Sequence, residues 1–318
     1  MSSFNTQNKN VLQTPIPAPT PQSQLKQFVI GGLAGMLSSA FTHPIDSLKV
    51  RMQLQGEGTG VGPKRGALKM LVHINQTEGF FTLYKGLSAS LLRQATYTTT
   101  RFGLYDLIKD IVAKDDKPLP FTQKIMVGML SGAGGAIVGT PADLTMVRMQ
   151  ADGKLPFNLR RNYKNVFDGI FRISKEEGII SLWKGCSPNL IRAMFMTAGQ
   201  VSSYDQTKQL MLASGYFHDD IKTHLIASTT AAFVAAVATS PLDVIKTRIM
   251  NSPKTVTGEL QYKGTFDCLS KTLRAEGFKA FYKGFNPYFM RLGPQTILTF
   301  IFVEQLNILW KKSQSYFK

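Results

Sequence analysis

The feature that most constrains this chain is a repeat: one pattern of motifs recurs three times at an interval of 99 residues. Glu78-Gly79, Glu177-Gly178 and Glu276-Gly277 are followed at equal distance by Tyr84-Lys85-Gly86, Trp183-Lys184-Gly185 and Tyr282-Lys283-Gly284, and then by Arg93, Arg192 and Arg291. Asp106, Asp205 and Glu304 close the series. Upstream, Pro44-Ile45-Asp46, Pro141-Ala142-Asp143 and Pro241-Leu242-Asp243 stand 97 and 100 residues apart, so small length changes fall between the proline motif and the glutamate. Such periodicity means copies of one supersecondary unit that bury their faces against one another. The chain divides accordingly into a disordered leader (1–23) and repeats over 24–115, 116–214 and 215–318. The leader is rich in Ser, Thr, Gln, Asn and Pro, and it has neither the apolar core of a signal peptide nor the arginines of a transit peptide.

Each unit opens with an apolar stretch rich in small residues that runs into its proline: Phe28 to His43, Ile125 to Thr140, and Leu225 to Ser240. With the continuation past the proline, each is long enough to cross a bilayer. Gly31 and Gly35, and Gly128 and Gly132, stand four apart, the spacing that lets membrane helices approach closely. A basic loop with a short amphipathic helix follows, then a second long helix beginning near the Lys-Gly pair. Three units of two spans predict an all-α membrane protein: six tilted transmembrane helices and three short helices around a central cavity.

Charge supports the same reading. The formal net charge is +17, yet only 18% of residues are charged and the mean hydropathy is near zero, so the spans carry polar faces. Segments 51–85, 148–184 and 248–283 carry +3, +4 and +4, whereas 110–117 and 213–220 carry −1 and −2. Alternation of this kind is expected when successive loops face opposite sides of a bilayer and the basic ones stay on the side of insertion. A nucleic-acid binder has no reason to alternate, and no nucleic-acid partner is expected. Cys186 and Cys268 have no disulfide or metal spacing, and His43, His73, His218 and His224 form no metal or nucleophile pattern. No enzyme, metal or cofactor is therefore expected. Gly132 to Ile137 looks like half of a dinucleotide fingerprint, but its third glycine is missing and no strand pattern precedes it, so helix packing is the expected role.

Two sets of charged motifs lie at helix ends. Asp46 and Lys49 follow Pro44, and Asp243 and Lys246 follow Pro241; after Pro141, Asp143 is present but Met146 replaces the base. Charges at membrane depth are costly unless paired or facing water, so three acids and two bases are expected to meet in a ring of interhelical ion pairs. A proline in a membrane helix kinks it and allows that end to close. A second ring is expected from Asp106 with Lys109, Asp205 with Lys208, and Glu304, beside which Asn307 again replaces a base. Two breakable rings at opposite ends of one bundle are what an alternating gate requires.

Pro-x-Asp-x-x-Lys, the Glu-Gly to Lys-Gly stretch and the aromatic-acid-x-x-Lys motif, each represented in the three units, resemble the mitochondrial carrier family over about residues 24 to 312. The resemblance implies three pseudo-symmetric units in the mitochondrial inner membrane, with the proline motifs closing the matrix side and the second ring the cytosolic side. It implies cardiolipin sites at Lys85-Gly86, Lys184-Gly185 and Lys283-Gly284, which suits helix N-termini able to bind phosphate. The chain is expected to work as a monomer.

Arg93, Arg192 and Arg291 occupy equivalent points of the three even-numbered spans, so threefold pseudo-symmetry brings them to one level around the axis. Arginine keeps its charge and grips carboxylate or phosphate with a planar fork, which argues for a substrate bearing two or more anionic groups. The family's contact points fall at Arg93, at Arg192-Ala193 and at Arg291. Arg93 to Arg101, Gly139 to Asp143 and Arg148 to Gly153 are similar to the branch of the family that exchanges 2-oxoglutarate for malate, with Tyr97 and Arg101 in the cavity. The uncoupling branch, linked to protons or fatty acids, is the near alternative. Eight residues past Arg192 that branch places an acid, where Gln200 stands here. Dicarboxylate exchange is the expected activity; a soluble basic binding protein is the competing class that charge alternation and kinked apolar helices speak against.

Overall fold

The computed structural model describes residues 21–55, 65–112, 120–155, 160–216, 218, 220–252 and 261–316. Six long helices carry it: α1 (Pro21–Gln53), α3 (Leu87–Val112), α4 (Phe121–Ala151), α6 (Cys186–Ala213), α7 (Ile221–Asn251) and α9 (Phe285–Tyr316). Three twelve-residue helices, α2 (Ala67–Glu78), α5 (Val166–Glu177) and α8 (Thr265–Glu276), stand between the members of each pair. Residues 1–20 of the expected leader lie outside the described residues. Residues 21–23 of it are helical, with Pro21 opening α1, a position where its missing N–H is no loss.

The long helices pack in a closed circuit, α1 on α3, α3 on α4, α4 on α6, α6 on α7, α7 on α9 and α9 back on α1. Small residues permit the close approach. Gly128 and Gly132 of α4 lie against Thr197 and Ala193 of α6, and Gly135 lies against the Tyr97 backbone of α3, where an added Cβ would stand 3.0 Å from the carbonyl oxygen. The fingerprint-like glycines are thus mid-helix packing surfaces. Gly31 of α1 departs from the expectation: nothing stands within 4 Å of where its Cβ would be, because this turn borders the cavity rather than a helix.

The barrel is apolar outside and polar within. On α1, Val29, Leu33, Leu37 and Phe41 form an exposed stripe at four-residue spacing, whereas Ser38, Ser39, Thr42 and His43 are buried. A water-soluble helix would invert this arrangement, and lipid is the solvent that makes it favourable. Buried hydroxyls on these helices bond to carbonyls one turn back, as Thr42 does to Ser38 (3.0 Å) and Thr140 does to Ala136. Among the described residues, α4 and α7 alone are apolar enough to be recognised as spans by composition; the others owe their place to the circuit.

Helices α1, α4 and α7 run through Pro44, Pro141 and Pro241. Each proline frees the carbonyl four residues earlier. At Pro141 that carbonyl, Ile137 O, accepts the Trp183 indole N–H at 3.1 Å, so a side chain from the following turn meets the need that the proline creates. The turns Phe80–Tyr84, Ile179–Trp183 and Phe278–Tyr282 are short 3-10 helices that end at Lys-Gly. Gly86, Gly185 and Gly284 have φ of 89°, 82° and 85°, the left-handed region that only glycine enters freely. The same three glycines press on the proline-bearing helix of another unit: a Cβ on Gly284 would stand 3.1 Å from the Lys49 carbonyl of α1, and one on Gly86 3.3 Å from that of Met146 of α4.

Candidate functional site

Past their prolines, α1, α4 and α7 converge on one another. Lys49 Nζ donates to Asp243 at 2.6 Å, joining α1 to α7, and Lys246 Nζ donates to Asp143 at 2.9 Å, joining α7 to α4. These are the expected two bases on two of the three acids. At the third place, between α4 and α1, Met146 offers nothing to Asp46. Thr247 donates to the Gln53 side chain at 2.8 Å and seals the α1–α7 seam beneath the ring.

The fold supplies an acid to each arginine of the triad. Arg93 Nε lies 3.4 Å from Asp143, Arg192 pairs with Asp243, and Arg291 pairs with Asp46. All three arginines and all three aspartates line a single pocket of about 90 Å³, together with Lys49 and Lys246. Five cations face three acids there, which leaves a surplus of two positive charges. Among the described residues, Asp143 and Asp243 each hold a lysine and an arginine, whereas Asp46 holds Arg291 alone.

Next to this floor opens a cavity of about 600 Å³, lined by α1, α3 and α9 and including Arg93, Tyr97, Arg101 and Asp106. Tyr97 and Arg101 thus both line this cavity. Ala193 does not: it is buried in the α4–α6 seam, where its neighbour is Gly132, because a small residue there serves helix packing. Gln200 is half-buried on α6, two turns beyond Arg192, and lines neither of these two cavities.

The far ring is arranged differently. Asp106, Lys109 and Glu304 are exposed. Asp205 accepts from Gln209 of its own helix at 2.7 Å, and Asn307 donates to its own Val303 carbonyl at 2.9 Å. The Tyr204 hydroxyl meets His224 Nδ1 of the adjacent α7 at 2.5 Å. One end of the barrel is thus knitted across the axis and the other is bonded mainly along its own helices.

Several residues of the closed end carry no role in the sequence reading. Arg51, Arg148 and Arg248 reach from the ends of α1, α4 and α7 to Glu78, Glu177 and Glu276 of the short helices. Burial pushes each glutamate's pKa up, but the guanidinium hydrogen bonds outweigh it and hold all three below the usual carboxylate range. Arg51 Nε also donates to the Gln150 carbonyl (3.2 Å) and Arg148 Nε to that of Met250 (3.2 Å), so the first unit is clasped to the second and the second to the third. Asn189 Nδ2 donates to Asp143 at 3.1 Å, and Lys49 Nζ lies 4.0 Å from the Tyr288 ring centre. Asn189 and Tyr288 each stand three residues before an arginine of the triad, so the repeat itself held the signal.

Two of the three lysines of the Lys-Gly turns are engaged within the protein. Lys184 Nζ donates to Ser252 O at 2.8 Å, and Lys283 Nζ donates to Gln55 O at 2.6 Å and pairs with Glu276.

Compared with known proteins, the sequence matches the mitochondrial carrier protein family three times over, at residues 20–116, 117–215 and 218–314. The chain belongs to the mitochondrial carrier family. Its place is the mitochondrial inner membrane, which it crosses several times, and its family carries solutes rather than catalysing reactions. Among its relatives, the carrier is 48% identical over 297 residues to the mitochondrial 2-oxoglutarate/malate carrier protein of Bos taurus, covering 93% of this chain and 94% of that one. It is 46% identical over 285 residues to the mitochondrial dicarboxylate carrier of Caenorhabditis elegans (90% and 94%). It is 44% identical over 308 residues to mitochondrial uncoupling protein 5 of Arabidopsis thaliana (90% and 98%).

Proposed function

We propose that this carrier exchanges 2-oxoglutarate for malate, or a closely similar dicarboxylate, by alternating access. The observation that carries the reading is the convergence of Arg93, Arg192 and Arg291 on one pocket at the floor of an open cavity. Three guanidinium groups offer more positive charge than one carboxylate uses, and Arg101 stands two turns above Arg93 for a second anionic group. The names of two relatives point the same way.

The arrangement also suggests how binding opens the closed end. Each arginine now holds an aspartate that helps to lock α1, α4 and α7 together. A substrate carboxylate competes for the same guanidinium. An arginine that turns to the substrate leaves its aspartate with one positive partner fewer in a buried setting, which weakens the closed state. Asp46 is the weak point, since Met146 gives it no second cation. Departure of the substrate restores the pairs. Its exchange logic follows: an empty carrier is locked by its own aspartates, and a loaded one is free to move. At the Lys-Gly turns, a cardiolipin phosphate would draw on backbone N–H groups of α3, α6 and α9, because Lys184 and Lys283 are already bonded within the protein. The carrier acts as a monomer in this scheme.

Purified protein in liposomes tests the reading. Labelled 2-oxoglutarate should enter only when the liposomes contain a dicarboxylate, and Arg192→Ala should lower the rate at least about thirtyfold, as loss of a buried charge-assisted contact does. Uptake indifferent to internal substrate, or a nucleotide-sensitive proton leak in place of exchange, overturns it.

A further inference from the structure

The dicarboxylate reading accounts for the cavity's cations but leaves polar side chains in it without a role, Gln94, Thr98 and Gln295 among them. Gln295 lies one turn beyond Arg291 on α9, half-buried, and lines the 600 Å³ cavity beside Arg93 and Arg101. Among the described residues its side-chain amide has no hydrogen-bond partner. Its backbone, in contrast, is held firmly: the Thr299 hydroxyl lies 2.7 Å from the Gln295 carbonyl oxygen and 2.9 Å from Ser38 Oγ of α1. The facing wall is bare, with nothing within 4 Å of where a Cβ on Gly31 or Gly32 would be, so space for a ligand adjoins the amide.

We propose that Gln295 recognises the oxygen on C2 of the substrate, and so selects 2-oxo and 2-hydroxy dicarboxylates over unsubstituted ones. The proposal rests on the dicarboxylate reading above. At 1.5 Å of rise per residue, Gln295 sits about 6 Å above Arg291, and Arg101 about 12 Å above Arg93. An amide midway between the two anionic anchors meets the middle of a short diacid rather than its ends. Donor and acceptor chemistry sharpens this. A keto oxygen only accepts, whereas a hydroxyl also carries a proton that needs an acceptor, and the arginines have none to offer. A glutamine amide presents an N–H to the one and, turned over, a carbonyl to the other, so a single side chain serves both partners of the exchange. The repeat-equivalent positions are Tyr97 and Met196. Methionine is at most a weak acceptor, and Tyr97, which shares the cavity, rests part of its ring against Gly135 and Gly139 of α4.

The test is counter-exchange in liposomes with 2-oxoglutarate, malate, glutarate and succinate as internal-matched competitors. Gln295→Met keeps the volume and removes the amide. The half-saturation concentrations for 2-oxoglutarate and malate should rise about tenfold, the equivalent of about 1.4 kcal/mol, while those for glutarate and succinate stay within about twofold. Gln295→His, which keeps one donor and one acceptor, should restore the wild-type ratios. A common shift of all four substrates, no shift of any, or no recovery in the histidine variant overturns the assignment while leaving dicarboxylate exchange intact. A wild-type protein that moves none of the four removes both readings.

Discussion

The two ends of this barrel are built from the same kind of motif, an acid followed three residues later by a base, yet only one end is locked. Past the prolines, acids and bases meet across the axis at 2.6 and 2.9 Å. At the far end, Asp205 and Asn307 bond within their own helices, and Asp106 and Glu304 are exposed. The difference lies in the surroundings rather than in the motifs. The locked ring is backed by the triad arginines above it and by three Arg–Glu clasps to the short helices. In the far ring Asp106, Lys109 and Glu304 are instead exposed. Two rings of similar composition can therefore sit in opposite states within one molecule, which is the requirement for a gate that alternates.

The largest test of this contrast removes the backing. Arg148 is 2% exposed, and Glu177→Gln leaves it buried without its counter-charge. A loss of about 3 kcal/mol is expected, read as a fall of about 5–10 °C in the thermal unfolding midpoint in detergent; an unchanged midpoint would show that the clasps do not support the locked end.

The next largest sharpens the role of the vacancy at Met146. Met146→Lys supplies Asp46 with a base of its own, so the closed end should hold more tightly and exchange should slow about threefold to tenfold, with a raised unfolding midpoint. Faster exchange would mean that the closed ring does not set the barrier. Asn307→Lys at the far end completes the comparison: Asn307 donates to its own Val303 carbonyl and Glu304 is exposed, so the midpoint should stay within about 1 °C of the wild type, as exposed pairs contribute little.

The smallest effect is one of pH. Glu78, Glu177 and Glu276 have folded-state pKa values below their ordinary one near 4.3. Their contribution is therefore complete above the unfolded value and is lost as pH falls through the lower folded one. Between pH 8 and 6 it should be flat. Below about pH 4 the wild-type midpoint should fall more steeply than that of the Glu177→Gln variant, which has one such group fewer.

Particular residues show what was legible. Asp46, Asp143, Asp243, Lys49 and Lys246 meet in a ring because their recurrence in three units implies equivalent positions around an axis, and symmetry turns spacing into geometry. The arginine triad follows by the same logic. Ala193 misled, because adjacency to Arg192 in the chain turns a side chain by about 100° on a helix and sends it into the α4 seam. The Arg51–Glu78 type of clasp was missed although both partners recur, since neither sits beside the prolines that drew attention to the other charges.

By itself, then, the sequence determined the threefold architecture, the spans, the family and the level at which cations gather, because a repeat and a hydropathy pattern are local properties that survive without coordinates. Only the tertiary structure decided who pairs with whom. The same aspartates answer to a lysine of one helix and an arginine of another, Asp46 answers to Arg291 across 245 residues of chain, and one end is closed while the other is open. Such choices depend on how close helices come and how much water remains between them, which the order of residues alone does not contain.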